Sequence, residues 1–153
     1  MINWHDADGK PITDHDLNLS LKDYIGSNGI IYVGTDSMLY STNCNFASVI
    51  ALYDPVLNIA KYYFKKQKLD SKIYKNLQVK IMNEVSLSLE TAQYILDNYP
   101  DAVIEIHVDI GTSSKSKTRS MFSHVKGWIQ GAGFDFKVKP NAWSSDIADW
   151  HTK

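Results

Sequence analysis

The chain has 153 residues, of which 44% are hydrophobic and 12% aromatic, enough apolar side chain to bury one sizeable core. Its 16 Lys+Arg against 17 Asp+Glu give a formal net charge of −1, which excludes a disordered chain with few apolar residues and a large net charge. It also argues against a strongly basic nucleic-acid coat protein, so a nucleic-acid partner must be met by a local patch.

The opening residues, Met1 to Asp6, lack the basic-then-apolar order of a signal peptide. Gly9-Lys10-Pro11 reads as a turn, and Ile12 to Ile25 as a short helix with apolar residues at 17, 21 and 25. Gly26-Ser27-Asn28-Gly29 ends it with residues that tolerate tight turns. Ile30 to Asp36 is a strand, rich in β-branched and aromatic residues. A second runs from about Phe46 to Tyr53, and a loop at Asp54-Pro55 to Asn58 leads into a third, Ile59 to Lys65. Short connections predict an antiparallel meander. Cys44, the single cysteine, cannot pair internally, so a reducing, cytoplasmic setting is the expectation.

From Ser71 to about Asn98 the period becomes helical, with Ile73, Leu77, Ile81, Val85, Leu89, Ala92 and Leu96 on one stripe. Ser71 is the expected N-cap. Val103 to Ile110 is a fourth strand, about 115–131 a helix, Phe134 to Lys139 a fifth strand, and a last short helix starts near Ser144 or Ser145. The order βββαβαβα predicts an α/β domain: a mixed five-stranded sheet with helices on both faces and a short N-terminal helix. It reads as one domain over 1–153, an extension at 1–29 preceding a core at 30–153. No stretch approaches the roughly 18 uninterrupted apolar residues of a membrane span.

Carboxylates fall at telling places. Asp36 follows Gly34-Thr35 at the expected end of the first strand, either as a site residue of an open sheet or as a turn residue capping local N–H groups. Asp109 lies near the end of the fourth strand, on the face shared by Glu105 and His107. A right-handed crossover would set this strand parallel to the first, bringing Asp36 and Asp109 to one edge. Two such carboxylates repel unless a cation lies between them. At roughly 100° per residue, Glu84 falls about 20° from Ile73 on the apolar stripe, where an unpaired carboxylate costs several kcal/mol. It is read as a metal ligand or as half of a buried salt bridge with a lysine. Asp146 and Asp149 project from similar faces of the last helix; Asp146 is in its first turn, where a dipole role is the plain alternative.

With these carboxylates in that strand order, the chain resembles the ribonuclease H-like fold. More narrowly, Tyr32-Val33-Gly34-Thr35-Asp36-Ser37, Glu84 to Leu89, His107-Val108-Asp109-Ile110-Gly111 and Ala148-Asp149-Trp150-His151-Thr152-Lys153 resemble the YkuK-type family of bacterial and phage proteins. The resemblance implies a two-metal site for Mg²⁺ or Mn²⁺ and phosphodiester hydrolysis. Asp36 would bridge both ions, Glu84 and Asp109 would ligate one, and Asp149 the other, with Asp146 as the alternative. The histidine many ribonucleases H carry before the last helix has no counterpart in Pro140 to Ser145, and His151 is the nearby auxiliary candidate. The implied partner is RNA, DNA or a hybrid; the alternative function is a non-catalytic module binding nucleic acid or protein.

Lys115, Lys117, Arg119 and Lys126 form a candidate nucleic-acid-binding cluster, and Lys61, Lys65, Lys66 and Lys68 a second, interleaved with aromatics. Either holds a phosphate backbone or is a solvated surface. Gly111 to Thr118 lies between a strand and a helix like a phosphate loop, but Ser116 replaces the glycine before the lysine. Trp128, Trp143 and Trp150 are expected in helix packing.

Overall fold

The computed structural model describes residues 3–113 and 115–153; Met1 and Ile2 of the opening segment and Ser114 of the 111–118 loop lie outside the described residues. A two-residue strand β1 (His5–Asp6) precedes helix α1 (Asp14–Gly26). The Thr13 hydroxyl starts α1 by accepting the Asp16 N–H at 3.0 Å. The meander follows as β2 (Ile30–Leu39), β3 (Asn43–Asp54) and β4 (Ile59–Asp70), then α2 (Leu77–Asn98), β5 (Val103–His107), α3 (Phe122–Gly131), β6 (Asp135–Lys137) and α4 (Trp143–Asp149).

The sheet has six strands in the order β1-β4-β3-β2-β5-β6, one more than expected. The added strand, β1, pairs with β4 through His5↔Phe64 and Asp6↔Tyr63, and a strand of two residues carries no periodicity to read. The meander is antiparallel, and β2–β5 and β5–β6 are parallel. The α2 crossover therefore sets β5 beside and parallel to β2.

Side-chain alternation divides the sheet into two unequal faces. On one, Ile31, Val33, Ile50, Leu52, Ile104 and Ile106 pack with Leu17 and Leu21 of α1, Ile81 and Val85 of α2, and Val125 and Ile129 of α3. Trp4 and Tyr24 join this same core, so the N-terminal segment is packed into it. On the other face Ala47, Val49, Ala51 and Phe64 pack with the seven-residue α4, through Ala148, Trp143 and Ile147. Gly34 makes that docking possible: a Cβ there would lie 2.7 Å from both Ser144 Oγ and the Ser145 backbone nitrogen.

Helix α2 begins later than its stripe predicts. Asn76, not Ser71, caps it by accepting the Val79 N–H at 3.1 Å; Ser71 is buried and donates to the Ser41 carbonyl instead. Residues 73–75 form a 3-10 turn that leaves Ile73 62% and Leu77 41% exposed. Burial starts at Ile81. Strand β4 runs to Asp70, and α3 is shorter than predicted because residues 119–121 form another 3-10 turn.

Candidate active site

Asp36 does not end its strand. It lies inside β2, paired with Ala47 of β3, and β2 continues to Leu39. Strand β5 is the one that stops, at His107, where the last parallel pair is Gly34↔His107. Beyond it Val108 turns its N–H to Lys137, and Ile110 accepts from Lys139. The sheet thus opens directly after Gly34 and His107, and two residues on along each chain stand Asp36 and Asp109. Such an opening beyond the carboxyl ends of parallel strands is where α/β sheets place ligands.

Neighbouring residues of β2 send side chains to opposite faces. Ser37 points toward α2, where its hydroxyl donates to Glu84 Oε2 at 2.5 Å. Thr35 points the same way and joins buried hydroxyls of Ser48 and Ser88 at 3.0 and 2.8 Å. Asp36 points toward α4, where the carboxylate of Asp149 acts on it. Its Oδ1 accepts the Ser37 N–H at 2.8 Å. Carboxylates from both faces thereby approach the one break in the sheet.

Burial and mutual charge leave Glu84 and Asp36 unusually basic. Desolvation pushes Glu84, only 3% exposed, up to about 8, and the charge of Asp36 adds to it. Lys80, one helical turn back at 3.7 Å, and Ser37 only partly offset this. Desolvation likewise pushes Asp36 up to about 7, with Asp109 and Asp149 raising it further. Asp109 is more open and is paired with Lys139 at 2.9 Å. The salt-bridge alternative for Glu84 is therefore present, but the lysine comes from its own helix and leaves the carboxyl far above its ordinary range.

A cavity of about 270 Å³ opens beside Glu84 and Asp109, walled by Lys80, Lys117 and Lys139 and by Ser116 and Thr118. Of the predicted basic cluster, Lys117 lines it; Lys115, Arg119 and Lys126 are exposed. The 111–118 loop is not open like a phosphate loop. Gly111 donates its N–H to Thr118 Oγ1 at 2.9 Å, and a Cβ at Gly111 would meet Ser116 Oγ at 2.6 Å. Asp146 is exposed and adds its field to Lys139, whereas Asp149 is the residue set against Asp36. His151 is taken up elsewhere: its ring stacks on Phe64 at 3.7 Å and its Nε2 meets Tyr62 Oη at 2.9 Å.

Sequence reasoning gave no role to Ser37, Lys80 or Lys139, and set His107 on the Asp109 face without its role at α4. Lys80 was legible as the residue one turn before Glu84. The others act across the fold. His107 is 1% exposed, its Nδ1 accepts the Ser144 N–H at 3.0 Å, and burial lowers its pKa to about 4. The neutral ring therefore carries its proton on Nε2 and caps the start of α4.

Four carboxylates, of which Asp36 and Glu84 are of raised basicity, match the oxygen preference of Mg²⁺ and Mn²⁺. Among the described residues no three acidic, histidine or cysteine side chains gather into one ready cage. Mg²⁺ keeps several waters and takes one or two carboxylates, so the Asp36–Asp149 pair fits such an ion, with Glu84 and Asp109 flanking it. Among the described residues no helix is long and apolar enough to cross a membrane.

A family model described as Ribonuclease H-like matches residues 16–153, from early α1 through the meander, the α2 crossover and α4. Searches of curated proteins and of solved structures gave no significant match. The matched span holds every carboxylate described above, and the mixed sheet with its antiparallel meander and parallel β2–β5 pair is consistent with that fold. The chain belongs to the ribonuclease H-like family.

Proposed function

We propose that the protein is a Mg²⁺- or Mn²⁺-dependent nuclease hydrolysing nucleic-acid phosphodiesters, and that within its family it is of the YkuK type. The observation that carries this reading is the approach of Asp36, Asp149 and Glu84, from opposite faces, to the break in the sheet beside Asp109, with Glu84 and Asp36 held near 8 and 7. Groups so destabilised as anions gain most from a divalent cation. Asp36 would hold both ions, Glu84 and Asp109 one, and Asp149 the other. The bound metals would supply an activated water and charge stabilisation for the leaving oxygen.

The chain's own residues do the rest. Ser37 fixes the Glu84 carboxyl, His107 fixes the helix that carries Asp149, and Lys80, Lys117 and Lys139 offer ammonium groups to phosphate oxygens. The test is cleavage of single-stranded, duplex and hybrid substrates with Mg²⁺ or Mn²⁺, beside Asp36→Asn. Metal-dependent cleavage lost in the variant supports the reading; equal activity in the variant sinks it. A non-catalytic binding module is the second reading, favoured by the lack of a ready three-ligand cage among the described residues. Binding without cleavage of any substrate would establish it.

A further inference from the structure

The face of the sheet on which α4 packs is left partly open. Between α4 and the β3–β4 hairpin lies a groove of about 290 Å³ with Ala51 and Ile147 among its lining residues, near the lower end of small-ligand sites. Aromatic pairs wall it. Tyr53 meets Trp143 edge-on at 5.9 Å, and Tyr62 meets Trp150 edge-on at 6.3 Å. Trp143 is anchored from below by Tyr32 at 4.6 Å, while Trp150 is 61% and Tyr53 48% exposed. Exposed aromatic rings beside a rigid recess are costly to leave in water and suit a flat apolar ligand.

The charge around the groove identifies that ligand further. Lys66 and Lys68 follow Tyr62 and Phe64 on the same face of β4 by the two-residue period, whereas Lys61, paired with Leu52, belongs to the opposite row. The groove also leads to the carboxylates. Trp150 directly follows Asp149, and Lys66 lies in the strand row of Asp36 and Ala47. Tyr62 and Lys66 are therefore about 13 Å apart along β4. Planar slots flanked by lysines spaced along one path suit successive bases and phosphates of a single strand. A recess between helix and sheet admits an unstacked base but not a base pair.

We propose that the Tyr53–Tyr62–Trp143–Trp150 groove binds a base of single-stranded nucleic acid and that Lys66 and Lys68 track its backbone toward Asp36. This deepens the nuclease reading by assigning the substrate class as single-stranded, and it rests on that reading for its link to cleavage. Binding itself is independent of metal.

The experiment is fluorescence anisotropy in EDTA with the full chain, using labelled oligothymidylate, oligouridylate and a DNA duplex of equal length. Single strands should bind more tightly than the duplex, and the two oligomers separate DNA from RNA. Trp150→Ala and Tyr53→Ala should each weaken single-strand binding by about 5- to 100-fold, the size of one stacking contact, while Trp150→Phe retains most of it. Both residues are exposed, and circular dichroism checks the fold of each variant. Unchanged affinity in both alanine variants, or a preference for duplex, overturns the groove. Metal-dependent cleavage that persists with the groove variants unaffected leaves the nuclease reading standing alone. Groove-dependent binding with no cleavage on any substrate ends the nuclease reading and keeps the groove.

Discussion

The Nδ1 of His107 accepts the backbone N–H of Ser144 at 3.0 Å, joining the end of β5 to the start of α4. Among its neighbours Tyr32 and Trp143 pack on the same ring at 5.5 and 5.2 Å. Nε2 stands 3.6 Å from Glu105, too far for a hydrogen bond. The position of Asp149 thus depends on a neutral imidazole carried by a different strand.

His107→Phe keeps the aromatic volume but leaves the Ser144 N–H without its acceptor. A buried donor so orphaned costs about 1–3 kcal/mol, and the variant should melt several degrees lower. The wild-type pH dependence follows from a folded pKa near 4 against 6.5 unfolded. Between those values the unfolded chain binds the extra proton, so this contribution is full above about pH 6.5 and is lost as pH falls toward 4. Chemical denaturation of both proteins at several pH values measures it; equal acid sensitivity in the two would refute the cap.

Asp36 and Glu84 act with the opposite sign. Their folded pKa values, about 7 and about 8, lie above ordinary carboxyl values, so the folded state holds protons that the unfolded state has released. In EDTA, stability should fall as pH rises through about 4.5 to 8. Above about pH 7 the His107 contribution is level, and the slope reports the carboxyls alone. Asp36→Asn and Glu84→Gln should each flatten that slope and raise the melting temperature at pH 8, by about 3–10 °C for 1–3 kcal/mol. Melting curves at pH 7 and 8 decide it, and a variant less stable than wild type at pH 8 counts against buried repulsion.

Gly34→Ala tests the seat of α4. The added Cβ would lie 2.7 Å from the Ser145 backbone nitrogen, which cannot turn aside as a side chain can. The helix must lift, at a cost of about 1–3 kcal/mol, moving Asp149 away from Asp36. Cleavage should drop further than the melting temperature alone explains, whereas wild-type activity would show that Asp149 needs no such placement.

Lys139→Ala separates stability from substrate contact. The Lys139–Asp109 pair is half open to solvent, and such pairs contribute about 0–1 kcal/mol. The melting temperature should hardly move. If Lys139 meets a phosphate, the slope of log affinity against log salt should fall by about one, and cleavage by about tenfold. An unchanged salt slope would remove Lys139 from the phosphate wall.

Much of this protein was written locally. The three- and four-residue recurrence from Ile81 to Leu96 specifies α2, and within it Glu84 stands out because a carboxylate on an apolar stripe must be explained. The alternation of Ile104 and Ile106 with Glu105 marks β5, and Asn98-Tyr99-Pro100 marks where α2 ends. These signals depend on residues a few positions apart, so periodicity carries them. Ile73 and Leu77 belong to the same periodic stripe yet lie exposed, because a stripe specifies a face and not what covers it.

The site's geometry needed pairings between residues far apart in the chain. The register Gly34↔His107 sets Asp36 level with Asp109 and leaves the sheet open beyond them; no local pattern encodes that offset. Strand β1, the Lys139–Asp109 pair, and the placement of Asp149 against Asp36 arise in the same way. The opening balance of 16 basic and 17 acidic residues described only a sum. Folding separates the signs, placing carboxylates at the break in the sheet and lysines along its walls, because pairing and packing, not composition, decide which charges become neighbours.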